Sequence, residues 1–155
     1  MHLHLETEIN APADTAWQAL GPSFAQIDEW ASFVQTSRPI DRSEVPDDLT
    51  VDPTAPVPGR ETTTKATLIE VLTNYDDAGR TLTFHGVGVP RIVTRARNVQ
   101  SIRTTSPTTS TVVFEVDFDL WGPFRIFDPI LRRRMAATFG DVQADLKRHA
   151  EHARV

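Results

Sequence analysis

The stretch GPFRIFDPILRRRMAATFGDVQADLKRHAEHARV, residues 122–155, decides how this chain is read. Asp128 offers a side-chain cap and Pro129 suits the first position of a helix. Leu131, Met135, Phe139, Val142 and Leu146 then recur at steps of four, four, three and four. On a helix of period 3.6 they form one continuous apolar stripe. The spacing predicts one long C-terminal helix that must bury this stripe against a partner layer.

That layer stands just upstream. Val112, Phe114, Val116, Phe118 and Leu120 alternate with Glu115, Asp117 and Asp119, so 111–120 reads as a strand with one buried face. Residues 92–104 precede it as a hairpin partner, across a turn at 105–110. A second hairpin joins 68–73 to 80–87 through Asp76-Asp77-Ala78-Gly79. Residues 60–66 and 32–38 add two further strands. The N-terminus opens with a strand in which Leu3, Leu5, Thr7 and Ile9 alternate with His2, His4, Glu6 and Glu8. Two short helices follow. The first carries Pro12, Asp14, Trp17 and Leu20 and stops at Gly21. The second starts at a Ser23/Gln26 capping box, carries Phe24 and Ile27, and ends near Trp30.

The tally is one strand, two short helices, six strands and one long helix. Hairpin neighbours are antiparallel and the helices sit at the ends, which defines an α+β class. About seven strands form the sheet, and 1–155 reads as a single domain. A helix ~10 Å across cannot fill the concavity of a strongly coiled sheet, so this arrangement predicts a container. Residues 39–59 interrupt the pattern with Pro39, Pro46, Pro53, Pro56 and Pro58, which forbid a regular element. Such a loop reads as a mobile insertion or as a lid over the mouth of the container.

Charge fixes which residues face inward. Along 92–104, Arg95, Arg97 and Arg103 share one row, and three unpaired arginines are costly to bury. The other row, with Thr94, Asn98 and Gln100, therefore faces the helix unless a bulge shifts the register. Buried amides need partners: each other, trapped water, or a ligand they orient. The apolar lining comes from Phe84, Phe114 and Phe118 on strands and Met135 and Phe139 on the helix. Trp30 joins them at the end of the helical pair.

The chemistry-bearing residues are few. Nucleophile-elbow, zinc-protease, phosphate-loop and dinucleotide signatures are all absent. His2, His4 and Glu6 share a strand face that points away from the apolar row, and His149 and His152 lack a third metal ligand in sequence. No metal or cofactor is expected. His85 faces outward if Phe84 faces inward. Glu70 shares a row with Leu68 and Leu72. If that row is inner, Glu70 is a candidate general base, with Arg60 as its partner or as an anion-binding group.

Composition limits the rest. The chain has 155 residues, 39% hydrophobic, with a formal net charge of −5 and no cysteine. That excludes disulfide and thiol chemistry and fits a reducing cytoplasm. The acidic balance argues against a nucleic-acid partner. The tract Arg132-Arg133-Arg134 reads as a solvated helix face or as a handle for an anionic partner or membrane surface. The first six residues are not a signal peptide, and no run approaches the ~20 apolar residues of a membrane span. A monomer or homodimer without stable membrane insertion is expected.

The stretch Ile9-Asn10-Ala11-Pro12-Ala13-Asp14-Thr15-Ala16-Trp17 resembles the opening of the SRPBCC, or START-like, proteins. Trp30 and the closing pattern around Pro129, Phe139 and Leu146-Lys147 are similar too. The resemblance spans the chain in its order of elements. It implies a helix-grip fold with a cavity between sheet and helix. It also implies binding or transport of a hydrophobic small molecule such as a lipid, polyketide or aromatic. The alternative it implies is a polyketide cyclase/dehydrase-type enzyme working in the same cavity. A helper module that binds a partner protein is a third reading. The superfamily has no universal catalytic residue to carry over.

Overall fold

A computed structural model of the chain describes residues 1–153. The last two positions of the expected terminal helix, Arg154 and Val155, lie outside the described residues. Seven strands, β1 (His2–Ile9), β2 (Thr36–Pro39), β3 (Gly59–Thr63), β4 (Thr67–Asp76), β5 (Thr81–Val87), β6 (Val93–Ser106) and β7 (Thr109–Leu120), form one sheet. Their order is β1-β7-β6-β5-β4-β3-β2, and every neighbouring pair is antiparallel. Two α-helices complete the chain, α1 (Ala13–Leu20) and α2 (Asp128–Ala153). This is the helix-grip fold: a curved antiparallel sheet closed by a long C-terminal helix.

Local chemistry explains the element ends. The β4–β5 turn closes with Gly79 N–H donating to Asp76 Oδ1 at 3.0 Å, and Arg80 adopts a positive φ of 51°. The guanidinium of Arg80 then reaches Asp14 at 2.6 Å and ties this hairpin to α1. Gly21 follows α1 where only glycine fits, since a Cβ there would stand 2.4 Å from Trp17 Cζ2. Gly59 permits the close approach of β3 to β4, since a Cβ there would lie 2.2 Å from the Glu70 carbonyl oxygen.

Several expected boundaries shift. The second short helix is a 3-10 helix over Phe24–Glu29, and Ser23 makes no side-chain cap bond. Asp128 does not cap α2 from outside: a 3-10 turn, Gly122–Phe127, runs straight into the helix, and Asp128 already has helical dihedrals. The strand expected over 32–38 shortens to Thr36–Pro39. The β6–β7 turn is tighter than expected, leaving only Pro107 and Thr108 between the strands.

The core sits at one end of the molecule. Trp17, Leu20, Phe24, Leu72, Leu82, Val112, Phe114 and Leu146 belong to one buried cluster. The C-terminal half of α2 is pressed into it, with Val142, Leu146 and Ala150 buried. Gln143 anchors this half through polar bonds. Its Nε2 donates to the Leu5 carbonyl at 2.9 Å, and its Oε1 accepts from Thr7 Oγ1 at 2.9 Å. The N-terminal half differs: Leu131, Met135 and Phe139 on the same stripe are only partly buried. The helix is thus packed down at one end and stands off the sheet at the other.

The 39–59 segment is fastened rather than loose. Asp52 N–H donates to the Leu72 carbonyl at 3.0 Å, and Asp52 Oδ2 accepts from Tyr75 N–H at 2.8 Å. Pro58 accepts from Leu72 N–H, Ile40 is buried, and Ala55 and Val57 pack against the core. It contributes no residue to the spaces beneath α2. The lid expectation is corrected accordingly: the segment is a strap along β4.

Candidate ligand-binding site

The stand-off of α2 leaves two adjoining compartments between helix and sheet. One, of about 200 Å³, is bordered by Arg60, Thr62, Glu70, Phe84, Gln100 and Phe139. The other, of about 120 Å³, is bordered by Glu70, Phe84, Asn98, Phe118, Met135 and Phe139. Leu68, Glu70, Phe84 and Phe139 are common to both. Outside the first compartment lies an open cleft of about 690 Å³, which shares Phe33, Thr64 and Thr138 with it. Access from this side therefore runs between the segment after Trp30, the β3–β4 turn and the middle of α2.

Arg60 and Glu70 are the largely buried charged groups of the inner space; Arg97, which also borders the smaller compartment, is half-exposed and pairs with Asp117. Arg60 and Glu70 oppose each other in the β3–β4 register, so the period-two rows of both strands direct them to the same face. The Glu70 row is the inner one. Arg60 Nε donates to Glu70 Oε1 at 2.9 Å, and Arg60 Nη1 donates to the Phe24 carbonyl at 2.8 Å. The guanidinium carbon lies 3.8 Å from the Phe24 ring centroid and 5.2 Å from that of Phe84, a cation–π stack. The Arg60 side chain is 5% exposed and that of Glu70 13%. No described residue bonds Arg60 Nη2 or Glu70 Oε2.

Asn98 and Gln100 are buried and point toward α2. They do not bond each other. Neither Oδ1 nor Nδ2 of Asn98 has a partner among the described residues. Thr94 is a correction: it is exposed and donates to the Asp119 carbonyl at 3.3 Å. A register shift between Val93 and Arg95 turns it outward. Trp30 is another. Its ring stacks 6.4 Å from His149 and lines a separate cleft of about 300 Å³ beside α1. Phe114 is fully buried and borders neither compartment; it meets Phe139 edge-on, with centroids 6.3 Å apart. Phe84, Phe118, Met135 and Phe139 do border the space. Thr62, Leu68 and Val34 border it without having been singled out, although Thr62 shares the Arg60 row by simple alternation.

On the outer face, His4 bonds Glu6 and Glu115, whose carboxylates hold its pKa above the ordinary value. His85 also lies outside, where burial and then the nearby Arg97 push its pKa down.

A family model described as polyketide cyclase/dehydrase and lipid transport matches residues 1–151. The chain belongs to this polyketide cyclase/dehydrase and lipid transport family. Solved structures show the same fold. A START superfamily protein from Mycobacterium smegmatis superposes with a TM-score of 0.75 at 13% identity, covering 98% of each chain. The di-domain ARO/CYC BexL gives 0.72 at 12% identity, over 95% of this chain and 46% of that one. A norcoclaurine synthase mutant from Thalictrum, bound to a transition-state analogue, gives 0.71 at 14% identity over 100% and 96%. Comparison with curated proteins finds no match. Membership in the polyketide cyclase/dehydrase and lipid transport family establishes the helix-grip frame. What the site does in this member is argued from its own residues.

Proposed function

We propose that the chain binds or carries a hydrophobic small molecule between the sheet and α2, with one polar group of that molecule held at Arg60 and Glu70. The observation that carries this reading is the charge pair in mainly apolar surroundings, with Arg60 bordering the larger compartment and Glu70 bordering both. An apolar wall rewards burial of a ring or chain at about 25 cal/mol per Å². A few placed polar groups then fix orientation. The unbonded Nη2 of Arg60 suits a carbonyl or carboxylate oxygen, and the unbonded Oε2 of Glu70 suits a hydroxyl. The amide of Asn98 supports the same reading, because an unpaired buried amide costs about 1–3 kcal/mol that a ligand group can offset.

A second reading rests on the same pair. A largely buried carboxylate beside a guanidinium is equipped to remove a proton while the cation stabilises the developing oxyanion. Glu70 then serves as base and Arg60 as electrostatic stabiliser in a cyclase/dehydrase-type reaction. Native mass spectrometry of the protein purified from its own host tests both readings. Binding predicts one co-purifying apolar molecule, lost from Arg60→Met. Catalysis predicts in addition that Glu70→Gln retains the molecule and changes its chemical form. Empty protein from the native host, with no ligand captured from its lipid extract, would sink both.

A further inference from the structure

Six large apolar side chains are exposed among the described residues, and five of them gather at one end. Trp121 is 58% exposed, Ile126 76%, Phe127 49% and Ile130 60%. Ile92 joins them, its carbonyl accepting from Trp121 N–H at 2.7 Å. The backbone cause is the 3-10 turn that carries the chain from β7 into α2. It lifts Ile126 and Phe127 off the sheet, one turn before Ile130. On α2, Ile130 shares a face with Arg133 and Arg134 at i, i+3 and i+4, away from the Leu131–Met135 stripe. Arg125, Arg132, Arg133 and Arg134 are all exposed; Arg125 donates to the Leu120 carbonyl and its charge acts on Asp119, while Arg132, Arg133 and Arg134 have no ion pair among the described residues. Asp128 is the only acidic residue between Trp121 and Arg134, in a chain whose net charge is −5.

We propose that this rim, Trp121 to Arg134, docks on an anionic lipid surface. An apolar tip flanked by the unpaired arginines of α2, with a tryptophan at its base, has the make-up of an interfacial segment. Docking is peripheral, since no described helix is long and apolar enough to cross a membrane. Charge selects this occupant. A second copy meeting the same face about a two-fold axis would set arginine cluster against arginine cluster. A nucleic acid would neutralise the arginines but leave Ile126 and Ile130 in water. A lipid interface satisfies both halves. The rim also adjoins the inner space: Met135, one turn further along α2, borders the smaller compartment with Val89 of the loop leading to Ile92. An apolar molecule leaving there emerges at the lipid rather than in water.

Vesicle flotation of the full chain tests this, comparing phosphatidylcholine alone with phosphatidylcholine plus phosphatidylglycerol, at low and high salt. The expected result is flotation with the anionic vesicles, weakened by salt, with a blue shift of tryptophan emission that Trp121→Phe removes. Arg133→Glu with Arg134→Glu lowers vesicle affinity by at least about tenfold. Ile126→Ser with Phe127→Ser abolishes the blue shift. All four sites are exposed, so melting is unchanged. Equal flotation with neutral vesicles, no flotation at low salt, or variants that float like the parent overturns the proposal. So does a concentration-dependent dimer that the same substitutions dissolve.

Discussion

Arg60 Nε lies 2.9 Å from Glu70 Oε1, across the β3–β4 pair and under the stand-off end of α2. Removing one partner of a buried pair leaves the other uncompensated, at roughly 3–5 kcal/mol. Arg60→Met also deletes the stack on Phe24 and strands the Phe24 carbonyl. Its unfolding free energy is expected to fall by about that amount. Glu70→Gln keeps an oxygen within reach of Nε and should cost much less. Urea titration of both variants checks the order, and a Glu70→Gln loss equal to that of Arg60→Met contradicts it.

Phe114 and Phe118 sit on one face of β7 yet have different surroundings. Phe114 is fully buried against Phe139, whereas Phe118 is partly buried on the smaller compartment. Phe114→Ala opens a cavity in packed core and should destabilise by about 3–5 kcal/mol. Phe118→Ala enlarges a space already present and should cost less than half as much. Equal losses in thermal or urea unfolding would mean that both rings are packed alike.

These two rings also mark how far the sequence could be read. Alternation along 112–120 and the stripe from Leu131 to Leu146 follow from backbone periods, so strand, helix and facing row were legible. The arginines of β6 correctly sent Asn98 and Gln100 inward. Thr94 failed because a bulge adds one residue to the count, and nothing in Val93-Thr94-Arg95 announces it. Trp30 failed because its direction depends on a 3-10 rather than an α exit from the helical pair, a rotation that composition does not encode. Which stripe residues touch core and which touch space depends on the tilt of α2, a property of the assembled sheet.

The 39–59 strap shows the same limit: its prolines predict no regular element, yet Pro39 ends β2 and a 3-10 turn forms at Arg42–Glu44, and they do not say where the strap docks. Asp52 joins it to β4 at Leu72 and Tyr75, and Val57 and Ala55 reach the core. Deleting residues 47–56 is therefore expected to lower the melting temperature by several degrees, because β4 loses backbone partners and apolar cover. Exchange of a ligand in the inner compartments should be unaffected, as no strap residue borders them. Calorimetry of the deletion checks this, and an unchanged melting point would show that the strap carries no stability.

Asp52 gives the strap a pH dependence with a definite sign. Thr54, through its hydroxyl and then its N–H, and after them the N–H of Tyr75, hold the Asp52 carboxylate below its ordinary pKa of 3.8. A carboxyl depressed on folding stabilises the folded state fully above its unfolded pKa. That contribution is lost as pH falls through the lower folded value. Asp117, depressed by His2, and Asp119, depressed by the N-terminal ammonium, act in the same direction. The whole chain should therefore lose stability below about pH 4. Asp52→Ala isolates one share. Its melting temperature should lie below that of the parent at pH 7, and the gap should narrow as pH drops toward 2, where the parent carboxylate is protonated too. A gap that stays constant across that range would show that the bonds of Asp52 do not depend on its charge.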